Sequence, residues 1–141
     1  FLGGFKFLGN NSLLEVNTAK DSTFLTSGTF ISTDENSIGH ILNVNSENVL
    51  KGNISLDGKN LVLNINANQK DIGILNMVSG TLELALDSSL TALIFADNSS
   101  ANWGNGTVAI TGARDNVVGF GNSSNGLTKN KFHKYLWIIE L

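Results

Sequence analysis

The sequence predicts an all-β chain, folded as a parallel β-solenoid (a right-handed β-helix) of about five coils. Apolar and polar residues alternate with period two, which is typical of strands. The alternation recurs at steps of about 22 residues, and a step of this size matches one coil of a solenoid. These first strands of each coil begin at Leu14, Leu42, Leu63, Leu84 and Val108.

A second apolar run lies between each pair of first strands and predicts a second strand in every coil. Its steps are similar in size to those of the first series, so the two series advance together along the chain. Parallel crossovers are right-handed in nearly all sheets, which predicts the hand of the coil. The markers of this series are Phe30, Ile54, Leu75, Phe95 and Phe120.

A small polar residue closes each first strand. Equivalent strands of a solenoid stack about 4.8 Å apart, so amide side chains at equivalent positions can hydrogen-bond along a column. The sequence therefore predicts a structural ladder of side chains along the stack. Its members are Asn17, Asn45, Asn66, Asp87 and Thr111.

The alternative architecture is an antiparallel β-sandwich. Three dipeptides between apolar runs have the composition of tight hairpin turns, namely Asp57-Gly58, Ser79-Gly80 and Asn105-Gly106. Hairpins would pair each strand with its neighbour in sequence, whereas a solenoid pairs strands one coil apart. Local turn chemistry and the long-range repeat therefore favour different folds.

The length of 141 residues indicates a single domain, 1–141. Residues 127–141 differ in composition and are expected to form a C-terminal cap or a pairing strand. Both ends are rich in apolar residues, and an exposed apolar strand is an association site. Candidate self-association residues are Phe5, Phe7, Tyr135, Trp137 and Ile139.

Composition argues against several classes of function. The net charge is −3 with acids and bases dispersed, which offers no basic stripe for nucleic acid and no basic patch for a lipid surface. No apolar run has the length of a membrane helix, so membrane insertion of this segment is not expected. There is no cysteine, and the two histidines, His40 and His133, are far apart in sequence. We therefore expect no metal, no cofactor and no enzymatic activity.

Residues 80–84, 95–100, 103, 106–112 and 120–128, which lie mainly between Thr81 and Thr128, together resemble a module of large exported bacterial proteins that carry autotransporter-type β-strand repeats. The resemblance implies a β-helical passenger or stalk at the cell surface or outside the cell, with a role in adhesion or scaffolding. The residues after Thr128 depart from the pattern.

Three functions follow as hypotheses. The first is a structural or adhesive segment whose partners are neighbouring repeats, copies of itself or a surface glycan. The second is a carbohydrate-binding module using Trp103, Asn102 and Asn105, because an aromatic ring among amide side chains is typical of sugar sites. The third is a subunit of a self-assembling extracellular fibre. The favoured interpretation of Trp103 itself is structural, with its side chain folded back to fill a corner of a coil.

Overall fold

A computed structural model describes residues 5–24, 31–33, 36, 38–51, 53–58, 60–87, 91–102, 104–113, 116–119 and 136–140. Within these ranges the secondary structure consists of strands, turns and bends, with no helix. The strands stack in parallel as a β-solenoid, which confirms the predicted fold class.

Two six-stranded sheets form the two sides of the coil. Odd-numbered strands form sheet 1: β1 Phe5–Phe7, β3 Ile31–Thr33, β5 Asn53–Asp57, β7 Gln69–Met77, β9 Ala92–Asn102 and β11 Val117–Gly119. Even-numbered strands form sheet 2: β2 Leu13–Val16, β4 His40–Val44, β6 Asn60–Ile65, β8 Ser79–Leu86, β10 Asn105–Gly112 and β12 Leu136–Glu140. The chain alternates between the sheets, and the stack is close to the five coils predicted.

Every described strand pair is parallel and joins strands one coil apart. In sheet 2, Leu42 pairs with Leu63 and Leu63 pairs with Leu84. The antiparallel sandwich is therefore wrong. Its hairpin signals instead mark the corner at which each strand of sheet 1 leads into the next strand of sheet 2, hereafter the first corner.

The core lies between the two sheets and is built from columns of aliphatic side chains. Period-two alternation turns every second residue inward, and Leu42, Leu63 and Leu84 are each fully buried. Ile54 and Leu75, which are paired in sheet 1, are also fully buried. Each level covers the apolar surface of the next, which a single coil could not do for itself.

The fifth first strand is displaced by two positions from its predicted alignment. Val108 pairs with Leu82, and Ile110 rather than Val108 pairs with Leu84. Both alignments place the same residues inward, because a slip of two positions preserves the faces of a strand. The step from Leu84 to its partner in β10 is therefore longer than predicted.

An irregularity between β7 and β9 accounts for this longer step. Ile72 pairs with Phe95, but Ile74, only two positions later, pairs with Ser100. The extra residues in β9 include Ser99, whose side chain is buried. Phe95 therefore lies level with Ile72 and not with Leu75 as predicted, whereas Ile54 and Leu75 pair as predicted. The markers Phe30 and Phe120 lie outside the described residues.

The C-terminal strand β12 continues sheet 2. It runs parallel to β10, with Val108 opposite Leu136 and Gly112 opposite Glu140. Within residues 127–141, which were predicted to form a cap or a pairing strand, the described strand β12 therefore pairs with sheet 2. The other residues of this segment lie outside the described residues.

Gly104 allows two levels to approach at the first corner. Its φ is +50°, and a Cβ there would overlap the carbonyl oxygen of Met77 and lie 3.1 Å from that of Val78. We expect Gly104→Ala to lower the free energy of unfolding by about 3 kcal/mol, from backbone strain and the clash together. Gly9→Ala is the matched control: its φ is +68° but its Cβ would meet nothing within 4 Å, so strain alone predicts about 1 kcal/mol. Urea denaturation of both variants measures the difference, and equal losses would contradict the role assigned to the clash.

Candidate functional site

A ladder of asparagine side chains runs along the outer face of sheet 2. Asn45 Nδ2 donates to Asn17 Oδ1 at 3.1 Å, and Asn66 Nδ2 donates to Asn45 Oδ1 at 2.8 Å. The backbone reinforces the column, because the Asn66 N–H donates to the carbonyl of Val44. Three of the five predicted ladder residues are thus brought into one hydrogen-bonded column.

The other two predicted members lie differently. Asp87 keeps the register, since its N–H donates to the Ile65 carbonyl. Thr111 pairs with Ala85, two positions before Asp87, and its hydroxyl donates to Glu83 Oε1 at 3.0 Å. The displacement of β10 is the reason that Thr111 does not continue the column.

A second ladder, which the sequence reasoning missed, runs beside the first. Asn64 Nδ2 donates to Asn43 Oδ1 at 2.8 Å, and Asn43 Nδ2 donates to Glu15 Oε1 at 2.9 Å. Glu15 Oε2 also accepts from Asn45 Nδ2 at 2.6 Å, so one carboxylate joins the two ladders at the N-terminal end. The available signal was the repeated Leu-Asn-x-Asn motif at 42–45 and 63–66, in which both asparagines recur.

The two ladders give this face a distinct chemistry. A primary amide has two N–H donors and two acceptor lone pairs, and a ladder bond uses one donor and one acceptor. Donors and acceptors beyond those in the ladder bonds recur along a row with a spacing of about 4.8 Å. Next to the ladders lies an aliphatic column of Leu13, Ile41 and Val62. The face is therefore suited to an uncharged, repetitive partner with hydroxyl or amide groups.

Asn45 is the residue on which the first ladder depends most. Asn45→Ala removes its bonds to Asn17, Glu15 and Asn66. Because the site is exposed, we expect a loss of only about 1 kcal/mol in the free energy of unfolding. Asn102→Ala, at an exposed position outside both ladders, is the control and is expected to change the urea midpoint little. A wild-type midpoint for Asn45→Ala would contradict a stabilising ladder.

Gln69 organises part of the second corner. At this corner each strand of sheet 2 leads into the next strand of sheet 1. The Gln69 side chain is fully buried. Its Oε1 accepts the N–H groups of Val49 at 2.9 Å and Leu50 at 3.2 Å. Its Nε2 donates to the carbonyls of Ser46 at 2.8 Å and Ala67 at 3.1 Å. A buried glutamine with all its bonding capacity used is a structural clamp, and no motif in the sequence marked it.

A small cleft of about 70 Å³ opens beside the second corner. Lys20 Nζ and Glu47 Oε2 form an ion pair of 2.9 Å at its edge. The hydrogen bond to Glu47 and the charge of Glu47 raise the pKa of Lys20, which is fully exposed. The cleft is far smaller than the roughly 300 Å³ or more of typical small-molecule sites. Its lining is Lys20, Asp21, Glu47, Asn48, Asn68 and Lys70.

His40 lies in the core at the N-terminal end of the stack. It is 1% exposed, stacks on the ring of Phe7 at 4.9 Å, and accepts the N–H of Ser12 through Nδ1 at 3.3 Å. Its Nε2 is buried without a hydrogen-bond partner among the described residues. His133 lies outside the described residues, so the two histidines are not brought together here.

The residues considered for sugar binding are only partly described. Asn102 ends β9 and Asn105 begins β10, and both are exposed at the first corner. Asn105 N–H donates to the Val78 carbonyl at 3.2 Å. Trp103 lies outside the described residues, so a sugar site at this corner stays a prediction.

The candidate self-association residues lie at the two ends of the stack. Phe5 is in β1, and Trp137 and Ile139 are in β12. Phe7 is only 7% exposed and packs within the core against His40, so its side chain is not available to a partner. Tyr135 lies outside the described residues.

In the described part of the chain, no three His, Cys, Asp or Glu side chains are grouped as metal ligands. The same residues form no helix with the length and apolar character of a membrane span. Comparisons with protein-family models, curated proteins and solved structures found no match to this chain.

Proposed function

We propose that this chain is a structural and adhesive segment of a bacterial surface or secreted protein, and that it acts as a scaffold or contact surface without catalysis. The observation that carries the proposal is the pair of amide ladders on sheet 2. Hydrogen-bonded stacking extends there from the backbone to the outermost side chains, so the surface itself has the regularity of the core.

Composition and resemblance support the extracellular location. Charged residues are only 15% of the chain, and solubility rests on amide and hydroxyl groups. The segment between Thr81 and Thr128 resembles the repeats of exported bacterial proteins. The proposed partners are neighbouring repeats, further copies of the chain or a surface glycan. Binding to nucleic acid and insertion of this segment into a membrane are not part of the proposal.

Antibody labelling of the source bacterium tests the location. Antibodies raised against the folded chain are expected to label intact cells or to detect the chain in the culture medium. Permeabilised cells serve as the control for total protein. A signal that appears only after permeabilisation would overturn a surface or secreted role.

Positive charge placed on the outer face of sheet 2, where the two ladders lie, tests the contact role. Beads coated with wild-type protein are expected to adhere to cells or to a glycan-coated surface. The double variant Asn45→Lys/Asn66→Lys keeps exposed positions polar but makes the face cationic, so adhesion to an uncharged partner should fall at least tenfold. Val117→Lys, at an exposed position on β11 of sheet 1, is the control and should adhere as wild type does. Equal adhesion by all three proteins would exclude this face as the contact surface.

A further inference from the structure

At the N-terminal edge of sheet 2, strand β2 has backbone groups without a partner among the described residues. Ile41 N–H donates to the Ser12 carbonyl, and Asn45 N–H donates to the Val16 carbonyl. Backbone groups of successive residues in a strand point to opposite sides, so the N–H and C=O groups of Leu13 and Glu15 point away from β4. No described strand pairs with this side of β2. The edge is an open template for another parallel strand.

The apolar columns at this edge are also incompletely covered. In the inward column Leu42, Leu63 and Leu84 are fully buried, whereas Leu14 at the end is only partly buried. In the outer aliphatic column Leu13 is 59% exposed, while Ile41 and Val62 beneath it are half-buried. One more level would bury Leu14 as the interior levels bury Leu42, and would cover Leu13 to the extent that Ile41 and Val62 are covered.

The opposite end of sheet 2 offers a strand of matching direction and register. Pairing along the sheet places Leu14, Leu42, Leu63, Leu84, Ile110 and Ile138 in one column. The column therefore has an aliphatic residue at each end. If the sheet continued from β12 of one copy to β2 of the next, Glu15 would lie level with Ile139.

We propose that copies of this chain stack head to tail along the solenoid axis, with β12 of one copy pairing in parallel with β2 of the next. The contact continues the interface already present between every two levels of sheet 2. Its two surfaces differ, so the contact is heterologous, and its repetition along the axis gives an open filament. This inference rests on the proposed scaffold role, of which it specifies the contact between copies, and does not depend on the location of the protein.

The charge on β2 is compatible with this contact. Glu15 is the single acidic residue of the strand. Its two carboxylate oxygens accept from Asn43 and Asn45, which holds the side chain against the outer face of the sheet.

Disulfide trapping tests the predicted register. The chain has no cysteine, so only introduced thiols react. Within one chain, positions 15 and 139 lie five strand spacings apart, about 24 Å, which is too far for a disulfide. In a head-to-tail stack they become neighbours at about 4.8 Å, within disulfide range. Oxidised Glu15→Cys/Ile139→Cys is therefore expected to give a reducible series of dimers, trimers and longer species.

Three results would overturn the proposal, provided that the circular dichroism spectrum of the variant is unchanged. The first is a double-cysteine protein that remains monomeric on oxidation. The second is a single Glu15→Cys variant that dimerises as completely as the double variant forms oligomers, because that indicates antiparallel β2–β2 contact and a closed dimer. The third is equal cross-linking by an exposed single cysteine, Asn102→Cys, which indicates random collision.

A proline at the edge gives an independent measurement without cross-links. Glu15→Pro removes the N–H that points away from β4 and leaves the β2–β4 bonds in place, a position at which edge strands tolerate proline. Glu15→Ala loses the same carboxylate but keeps this N–H. In sedimentation velocity, wild type and Glu15→Ala should associate as concentration rises, and Glu15→Pro should not. Association by the proline variant, or monomeric behaviour of all three proteins, would refute the axial contact; neither result bears on the labelling of intact cells.

Discussion

Gln69→Ala is expected to lower the free energy of unfolding by about 4 kcal/mol. The substitution leaves the N–H groups of Val49 and Leu50 and the carbonyls of Ser46 and Ala67 without the partner that Gln69 provides. Each buried polar group that loses its partner costs about 1–3 kcal/mol, and partial relaxation of the corner reduces the sum. Urea denaturation followed by circular dichroism measures the change.

Lys70→Ala is the matched control for Gln69→Ala. Lys70 is the next residue of β7, and its side chain is exposed, so we expect a change within about 0.5 kcal/mol. A loss below about 1 kcal/mol for Gln69→Ala would show that water or a rearranged backbone replaces its four bonds. The clamp assigned to Gln69 would then be wrong.

Leu63→Ala is expected to cost about 3 kcal/mol. Leu63 is fully buried and lies between Leu42 and Leu84 in the central column of sheet 2. The backbone hydrogen bonds above and below keep the levels about 4.8 Å apart, so the walls cannot close over the missing side chain. The cavity therefore persists and adds to the lost transfer free energy.

Val62→Ala is the matched control for Leu63→Ala. It separates the free energy of core packing from the intrinsic preference of the side chain for a strand. Val62 is the adjacent residue of β6, faces outward and is half-buried. Its truncation is expected to cost about 1 kcal/mol or less, because water fills the space beside an outward side chain. Similar losses for Leu63→Ala and Val62→Ala, measured as urea midpoints at equal slope, would contradict the assignment of inner and outer faces.

Much of the architecture could be predicted because the repeat in the sequence itself indicates stacked coils. Leu42, Leu63 and Leu84 recur at equal steps, each with one polar neighbour in the sequence, and only stacking makes such equivalence useful. The column of Asn17, Asn45 and Asn66 follows from the same spacing. The hairpin signals were misleading because a glycine corner between two sheets needs the same residues as a hairpin turn.

The candidate site was predicted less completely than the fold. Asn43 and Asn64 sit in the same motifs as the first ladder, so their column could be inferred once the register was known. Gln69 could not be inferred, because its partners are backbone groups of Ser46, Val49, Leu50 and Ala67. Backbone partners leave no pattern of side chains in the sequence.

The sequence by itself determined that the chain forms strands, which side chains face inward, and that levels one repeat apart are equivalent. Only the tertiary structure decided the register across β7–β9 and β8–β10, the position of Thr111 outside the ladder, and the role of Gln69. For β8–β10 the physical reason is the period of the strand: a slip of two positions keeps every side chain on its own face. The choice between such registers depends on how Ser99 and its neighbours fit between the levels, which requires all the contacts together.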